Sequence, residues 1–260
     1  VFSDLDGTLL DHETYRWDAA EPALDRLARA NVPVVLASSK TGEEIEVLQR
    51  AMGLSAYPAI VENGAGVIGS GGANARSDDD YHRIRAALDD LPEEVRRGFT
   101  GFGDMDVASL IRATGLGEDD ARRARKRRFS EPGLWNGNVQ TRQAFITHLA
   151  EAGITCRRGG RFLTLSFGKT KADQMAHVAR ALGAECTMAL GDAPNDIEML
   201  EAADFAAIVH NPHGPALPPM KGESTGRIRR TRQAGPEGWN AAIHHILDHL
   251  ALDRGNSAHG

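Results

Sequence analysis

Short, unbroken apolar runs alternate with stretches of helical periodicity over the first part of the chain. Val1-Phe2 with Leu5, Val32–Ala37 and Ala59–Val61 are continuously apolar, the pattern of strands buried inside a parallel sheet. Between them, Pro22 suits the first turn of a helix that sets Leu24, Leu27 and Ala28 on one stripe. Thr41 and Glu44 form a capping box for a second helix, with Ile45, Leu48 and Met52 inward and Gly53 as its stop.

From Gly69 to Asp80 the chain turns to Gly, Ser, Asn and Asp, the composition of a linker or hairpin tip. Charged helices follow over Tyr81–Arg97, Met105–Thr114 and Glu118–Arg127, then short strands at Arg127–Ser130 and Leu134-Trp135. A helix over Asn138–Ala152 turns Phe145, Ile146 and Leu149 inward. Strands at Thr155–Arg157 and Phe162–Phe167 are joined through Gly159-Gly160. The alternating pattern then resumes. A helix opens at Thr170 and Asp173 with Met175, Val178 and Leu182 inward, and Cys186–Leu190 is a buried strand ending at Gly191. A further helix starts within Asp192–Asp196, and Phe205–Val209 is the last strand predicted. His210–Gly238 reads as a long loop, Trp239–Leu252 as a helix and Asp253–Gly260 as a tail. The pattern predicts an α/β fold: a parallel-sheet core of residues 1–69 and 168–260, interrupted by an α+β module of residues 70–167.

A chain of 260 residues with 41% hydrophobic and 25% charged residues accommodates two such domains. The net charge of −6 argues against a general nucleic-acid binder. Arg122–Arg128 is strongly basic, but it follows Glu118-Asp119-Asp120, so acids open and bases close one helix, which is dipole matching. No apolar run is long enough to span a bilayer, so a cytoplasmic protein without a membrane partner is expected. Cys156 and Cys186 lie in apolar stretches and are expected to be buried thiols without a disulfide between them.

Chemistry gathers at the strand ends, where open α/β sheets bind ligands. Asp4 and Asp6 alternate along an extended backbone and so point the same way, at a strand end closed by Gly7-Thr8. Like charges at the edge of an apolar core are costly unless a cation binds between them. Ser38 ends the second strand, with Ser39 as a fallback, and would offer a hydroxyl and an amide to a phosphate. Lys171 stands at a helix start, where a cation opposes the macrodipole unless an anion sits before it. Lys169 competes for that role, and spacing does not choose between the two. Asp192, Asn195 and Asp196 follow the strand ending at Gly191. Mg²⁺ prefers oxygen ligands, tolerates one or two carboxylates and takes phosphate oxygens as the rest. Asp4, the Asp6 carbonyl and Asp192 supply that set, and Asp196, one turn on, would hold a metal water or Lys171.

Asp4-Leu-Asp6-Gly-Thr8-Leu-Leu resembles the signature of the haloacid dehalogenase superfamily of phosphohydrolases. In that superfamily the first Asp is a nucleophile and the second a general acid/base, which here implies Asp4 and Asp6. The resemblance favours Lys171 over Lys169. Further motifs are similar to those of the mannosyl-3-phosphoglycerate phosphatase family. They are Ser38-Ser-Lys-Thr41, Glu62-Asn-Gly-Ala65, Phe129-Ser-Glu-Pro132, Gly159-Gly-Arg-Phe162, Gly191-Asp-Ala-Pro-Asn-Asp196 and Gly235-Pro-Glu-Gly-Trp239. This resemblance implies a Rossmann-like core with a type-II cap, and Mg²⁺-dependent hydrolysis of 2-O-mannosyl-3-phosphoglycerate to mannosylglycerate. The glucosyl analogue is a further candidate. A phosphorylated glycosyl-glycerate is a small polyanion rich in hydroxyls. Lys40, Glu62, Asn63, Gly64, Glu131, Gly160 and Arg161 are the candidates to bind it, with Arg161 forking onto the carboxylate and Glu62, Asn63 and Glu131 accepting from hydroxyls. The alternative is a sugar-phosphate phosphatase or phosphomutase of the same superfamily, although Ser38-Ser-Lys departs from the Thr-Gly-Arg commoner among sugar phosphatases.

Overall fold

The computed structural model describes residues 1–69 and 79–257. The polar link predicted between Gly69 and Asp80 therefore falls mostly outside the described residues. The strands are β1 (Phe2–Ser3), β2 (Val35–Leu36), β3 (Ala59–Val61), β4 (Gly66–Ile68), β5 (Phe99–Gly101), β6 (Ser130–Trp135), β7 (Thr155–Gly159), β8 (Phe162–Ser166), β9 (Met188–Gly191), β10 (Phe205–His210) and β11 (Ile228–Ala234). They are shared between two compact units, Val1–Ser38 with Lys171–Gly260, and Ser39–Thr170. Residues 39–69 thus pack within the second unit, whereas the sequence pattern groups them with the first.

The first unit is a five-stranded sheet in the order β11-β10-β9-β1-β2, with every neighbouring pair parallel. The fold is a Rossmann-like α/β core in which β1 is an inner strand, paired with β9 and β2, and Phe2 and the following Leu5 are buried. The helix Glu21–Arg29 buries Ala23 and Leu27, and Lys171–Ala181 buries Met175 and Val178. Leu182, expected inward, is exposed, because the helix ends at Ala181 and Gly183 turns the chain with φ +63°. Gly235–Ser257 is longer than the helix predicted from Trp239, and it buries Trp239, Ile243 and Ile246. It is tied to Glu21–Arg29 by Arg26 to Asp248 at 2.6 Å and by the Ala23 amide to Asn240 Oδ1 at 3.0 Å. No helix among the described residues is long and apolar enough to cross a membrane.

Two further expectations are corrected. Within the segment 210–238 read as loop, Ile228–Ala234 forms β11 and Gly235 opens the last helix, while 211–220 is irregular; this edge strand buries only Ile228 at its start, so its arginines mask the pattern. Cys186 is exposed because β9 begins only at Met188, while Cys156 is half-buried and burial pushes its thiol up to about 12. Neither forms a disulfide.

The second unit carries a four-stranded antiparallel sheet in the order β5-β6-β8-β7, the sheet of a cap domain. Asp80–Asp89, Glu93–Arg96 and Val139–Glu151 pack Ile84, Leu88, Val95, Phe145 and Leu149 against it. Pro92 splits the helix predicted over Tyr81–Arg97, and Arg127–Ser130 and Leu134-Trp135 merge into the single strand β6. β3 does not join the parallel sheet; it pairs antiparallel with β4 through a turn that holds Asn63 at φ 60°. The Thr41–Glu44 capping box is formed in full.

Much of the basic run is paired with acids. Arg122 pairs with Glu118, Arg123 with Asp120 and Lys126 with Glu43, each within 2.8 Å. Arg127 reaches Glu62 Oε2 at 3.2 Å and the Ser39 carbonyl at 3.3 Å.

Gly101 lies against the carboxylate of Glu131, which is fully buried and receives the Gly103 amide at 2.8 Å. A methyl group on residue 101 would collide with an oxygen that has nowhere to move. Gly101→Ala is expected to cost about 1–3 kcal/mol and to lower the melting temperature by roughly 2–12 °C, read by scanning calorimetry. An unchanged transition would contradict this packing.

Candidate active site

β1 delivers Asp4 to the sheet edge, and its backbone is fixed on two sides. The Asp4 amide donates to the Leu190 carbonyl at 2.9 Å, and its carbonyl accepts the Ser3 hydroxyl at 2.7 Å. Ser3 Oγ in turn accepts the indole N–H of the fully buried Trp239 at 2.9 Å. Gly7 turns the chain with φ +82°, a conformation that favours glycine, and the Leu10 amide folds back to the Leu5 carbonyl at 2.8 Å. Asp6 sits half-buried in that turn.

The Lys171 ammonium, only 2% exposed, bridges Asp4 Oδ1 at 2.6 Å and Asp196 Oδ1 at 2.7 Å. Lys169 is exposed. Asp196 is fully buried, and its second oxygen accepts the Asp192 and Ala193 amides, both at 3.1 Å. Both Asp196 oxygens are therefore engaged in orienting Lys171 and the Asp192 loop. Asp192 follows β9 and takes the Thr8 hydroxyl on Oδ1 at 2.5 Å and the Asn211 amide on Oδ2 at 2.6 Å. Ser38 is buried at the end of β2, and Asn195 is exposed on the turn before Ile197–Ala202.

Asp4, Asp192 and Asp196 each present an oxygen within 4.8 Å of the others. Burial foremost, and then the charge of Asp196, hold the Asp4 carboxyl well above the usual range; burial also raises Asp192. Burial pulls Lys171 down, but the charges of Asp196 and Asp4 outweigh it and leave the ammonium more basic than usual. Three buried carboxylates thus face one ammonium. That excess of negative charge, made wholly of hard oxygen donors, fits a divalent cation such as Mg²⁺.

The remaining candidates lie in the second unit. Glu62 is buried, and its oxygens accept the Arg128 amide at 2.9 Å, the Phe129 amide at 3.2 Å and the Ser130 hydroxyl at 2.7 Å. Glu131 is buried beside Tyr81 and Arg85, and burial raises its pKa. Both acids, candidates to accept from sugar hydroxyls, have internal partners. Lys40 is half-buried and its carbonyl receives the Glu62 amide; Asn63 and Gly64 form the β3–β4 turn. Ser39, Gly160 and Arg161 are exposed, and Arg161 donates to the Thr114 carbonyl at 3.3 Å. Sequence reading missed Asn211 and the Trp239–Ser3 link. Thr8 stands in the opening motif, but Asn211 follows β10 in a stretch without periodicity.

A family model for haloacid dehalogenase-like hydrolases matches residues 1–93 and 141–217. The chain belongs to this hydrolase family. Hydrolases of the same fold include the sucrose-phosphatase of Synechocystis sp. PCC6803, solved with sucrose and phosphate. It is 17% identical, with 96% of each chain covered and a TM-score of 0.61. The phosphatase BT1666 from Bacteroides thetaiotaomicron is 18% identical over 96% of this chain and 94% of its own, with a TM-score of 0.59. The subclass IIB sugar phosphatase BT4131 is 16% identical over 96% and 98%, with a TM-score of 0.58.

Proposed function

We propose that this hydrolase is a Mg²⁺-dependent phosphatase that releases phosphate from 2-O-mannosyl-3-phosphoglycerate, or its glucosyl analogue, through an aspartyl-phosphate on Asp4. The observation that carries the phosphatase reading is the buried Asp4–Lys171–Asp196 array beside Asp192. Asp4 would attack phosphorus as the bond to the glycerate oxygen breaks, with Asp6 giving its proton to the leaving alkoxide. Water would then attack the aspartyl-phosphate, Asp6 taking a proton while the Asp4 oxygen is released. Lys171 holds Asp4 in place and offsets the charge of the incoming phosphate, with Ser38 and Asn195 as its further donors. Asp4, the Asp6 carbonyl and Asp192 would hold Mg²⁺, with Asp196 behind them through Lys171. When bound, the metal supplies charge neutralisation between carboxylate and phosphate. Lys40, Asn63, Gly64, Gly160 and Arg161 remain the proposed contacts to the glycosyl-glycerate. For Glu62 and Glu131 a direct contact would require displacing their internal partners.

A sugar-phosphate substrate is the second reading, favoured by the sugar phosphatases among the solved relatives. Phosphate release from mannosyl- and glucosyl-3-phosphoglycerate, mannose 6-phosphate and sucrose 6-phosphate at equal concentration decides between them. The proposal expects the glycosyl-phosphoglycerates to give the highest kcat/KM by at least about tenfold, a difference of about 1.4 kcal/mol. A hexose phosphate or sucrose 6-phosphate in first place would overturn the substrate while leaving the phosphatase.

A further inference from the structure

Asn211 is built into the site through Asp192. It stands immediately after β10, where pairing with β11 shifts register between Ile208 and His210. The preceding amide, that of His210, is tied to Thr231 Oγ1 at 2.9 Å. Its side chain is fixed at both ends. Oδ1 accepts the His213 amide at 2.8 Å, so the nitrogen must face the other way, and it donates to Asp192 Oδ2 at 2.6 Å. The amide nitrogen is also closely enclosed. A Cβ on Gly7 would fall 2.9 Å from Asn211 Nδ2 and 3.0 Å from Asp192 Oδ2, and one on Gly214 would fall 3.1 Å from Nδ2. Two glycines thus leave the room that this one hydrogen bond occupies.

The chemistry of the donor is informative. Asp192 takes one neutral donor on each oxygen, the Thr8 hydroxyl and the Asn211 amide. A neutral donor fixes the plane of a carboxylate while leaving its full charge and its second lone pairs for a cation. A lysine in the same place would cancel that charge and compete with the metal.

Resting on the phosphatase reading above, we propose that Asn211 is a positioning residue for the divalent cation. It locks the rotation of the Asp192 carboxylate from the side opposite Thr8, and so sets how tightly Mg²⁺ is held. Its effect falls on cation affinity and not on the chemical step.

The test is calorimetric titration of the substrate-free protein with magnesium chloride, on the wild type and on Asn211→Ala, Asn211→Leu and Asp192→Ala. Asn211→Leu removes the donor while keeping the volume. Both Asn211 variants are expected to weaken Mg²⁺ binding by about 10- to 100-fold. The Mg²⁺ concentration giving half-maximal phosphate release should rise in parallel, with the rate at saturating Mg²⁺ falling far less. Their metal-free melting temperatures should stay near that of the wild type. Unchanged affinity in both variants, while Asp192→Ala abolishes binding, would overturn the positioning role and leave the metal site standing. A loss of affinity matched by collapse of the metal-free fold in both variants would overturn it in favour of a purely structural role. Absence of Mg²⁺ binding by the wild type would overturn the metal reading itself and this inference with it.

Discussion

Asp4→Asn is expected to abolish phosphate release, by at least about 10,000-fold, while leaving a folded protein. The amide keeps the shape of the carboxylate and can still accept from Lys171, but it cannot form the acyl-phosphate bond. The stability of the same variant carries independent information. Asp4 is only 7% exposed, and burial together with Asp196 and Asp192 raises its pKa. An acid raised on folding contributes stability below its unfolded pKa, near 4, and that contribution is lost as pH climbs towards the folded value. In metal-free buffer the melting temperature of Asp4→Asn relative to wild type should therefore increase as pH is raised from about 4 to 8. Added Mg²⁺ should reverse the trend by stabilising wild type selectively. A variant that keeps even a hundredth of wild-type turnover would remove Asp4 from the nucleophile's role.

How far the chain discloses this site depends on whether each signal is local. Asp4, Asp192 and Asp196 follow buried strands and stand before turns, so pattern alone places them at one sheet edge, and they lie together. The Thr41–Glu44 box is written within four residues and forms as written. Pairing partners are another matter. β3 has the apolar run of a parallel strand, but its partner β4 lies just beyond a turn that holds Asn63 at φ 60°. β11 is hidden because an edge strand needs little apolar surface, and Ile228 alone supplies it. Acid roles are least legible of all. Glu62 and Glu131 read as candidate acceptors for hydroxyls, and the sequence does not disclose that neighbours distant in the chain bury both, as Arg128 and Ser130 do for Glu62. Asn211 illustrates the reverse: a residue without a pattern acquires a role only through what it touches.

Lys171→Met is expected to produce the largest loss of stability of any single change in the site. The ammonium is the cation that the buried Asp4 and Asp196 share, at 2.6 and 2.7 Å. Taking one partner from a buried ion pair costs about 3–5 kcal/mol, because the charges left behind lose their compensation. For a protein of this size that corresponds to a fall on the order of 10 °C in melting temperature. Arginine should not rescue it, since a planar guanidinium cannot occupy a site shaped around one point charge. Electrostatics can be separated from lost packing by neutralising an anion as well. Adding Asp196→Asn to Lys171→Met should recover part of that stability, with a coupling energy of about 1–3 kcal/mol in a double-mutant cycle. Turnover should stay lost, because Asp4 would still lack its cation. Additive destabilisation in the double variant would mean that Lys171 acts through its aliphatic stem, and the charge array could then no longer explain why a lysine is buried there.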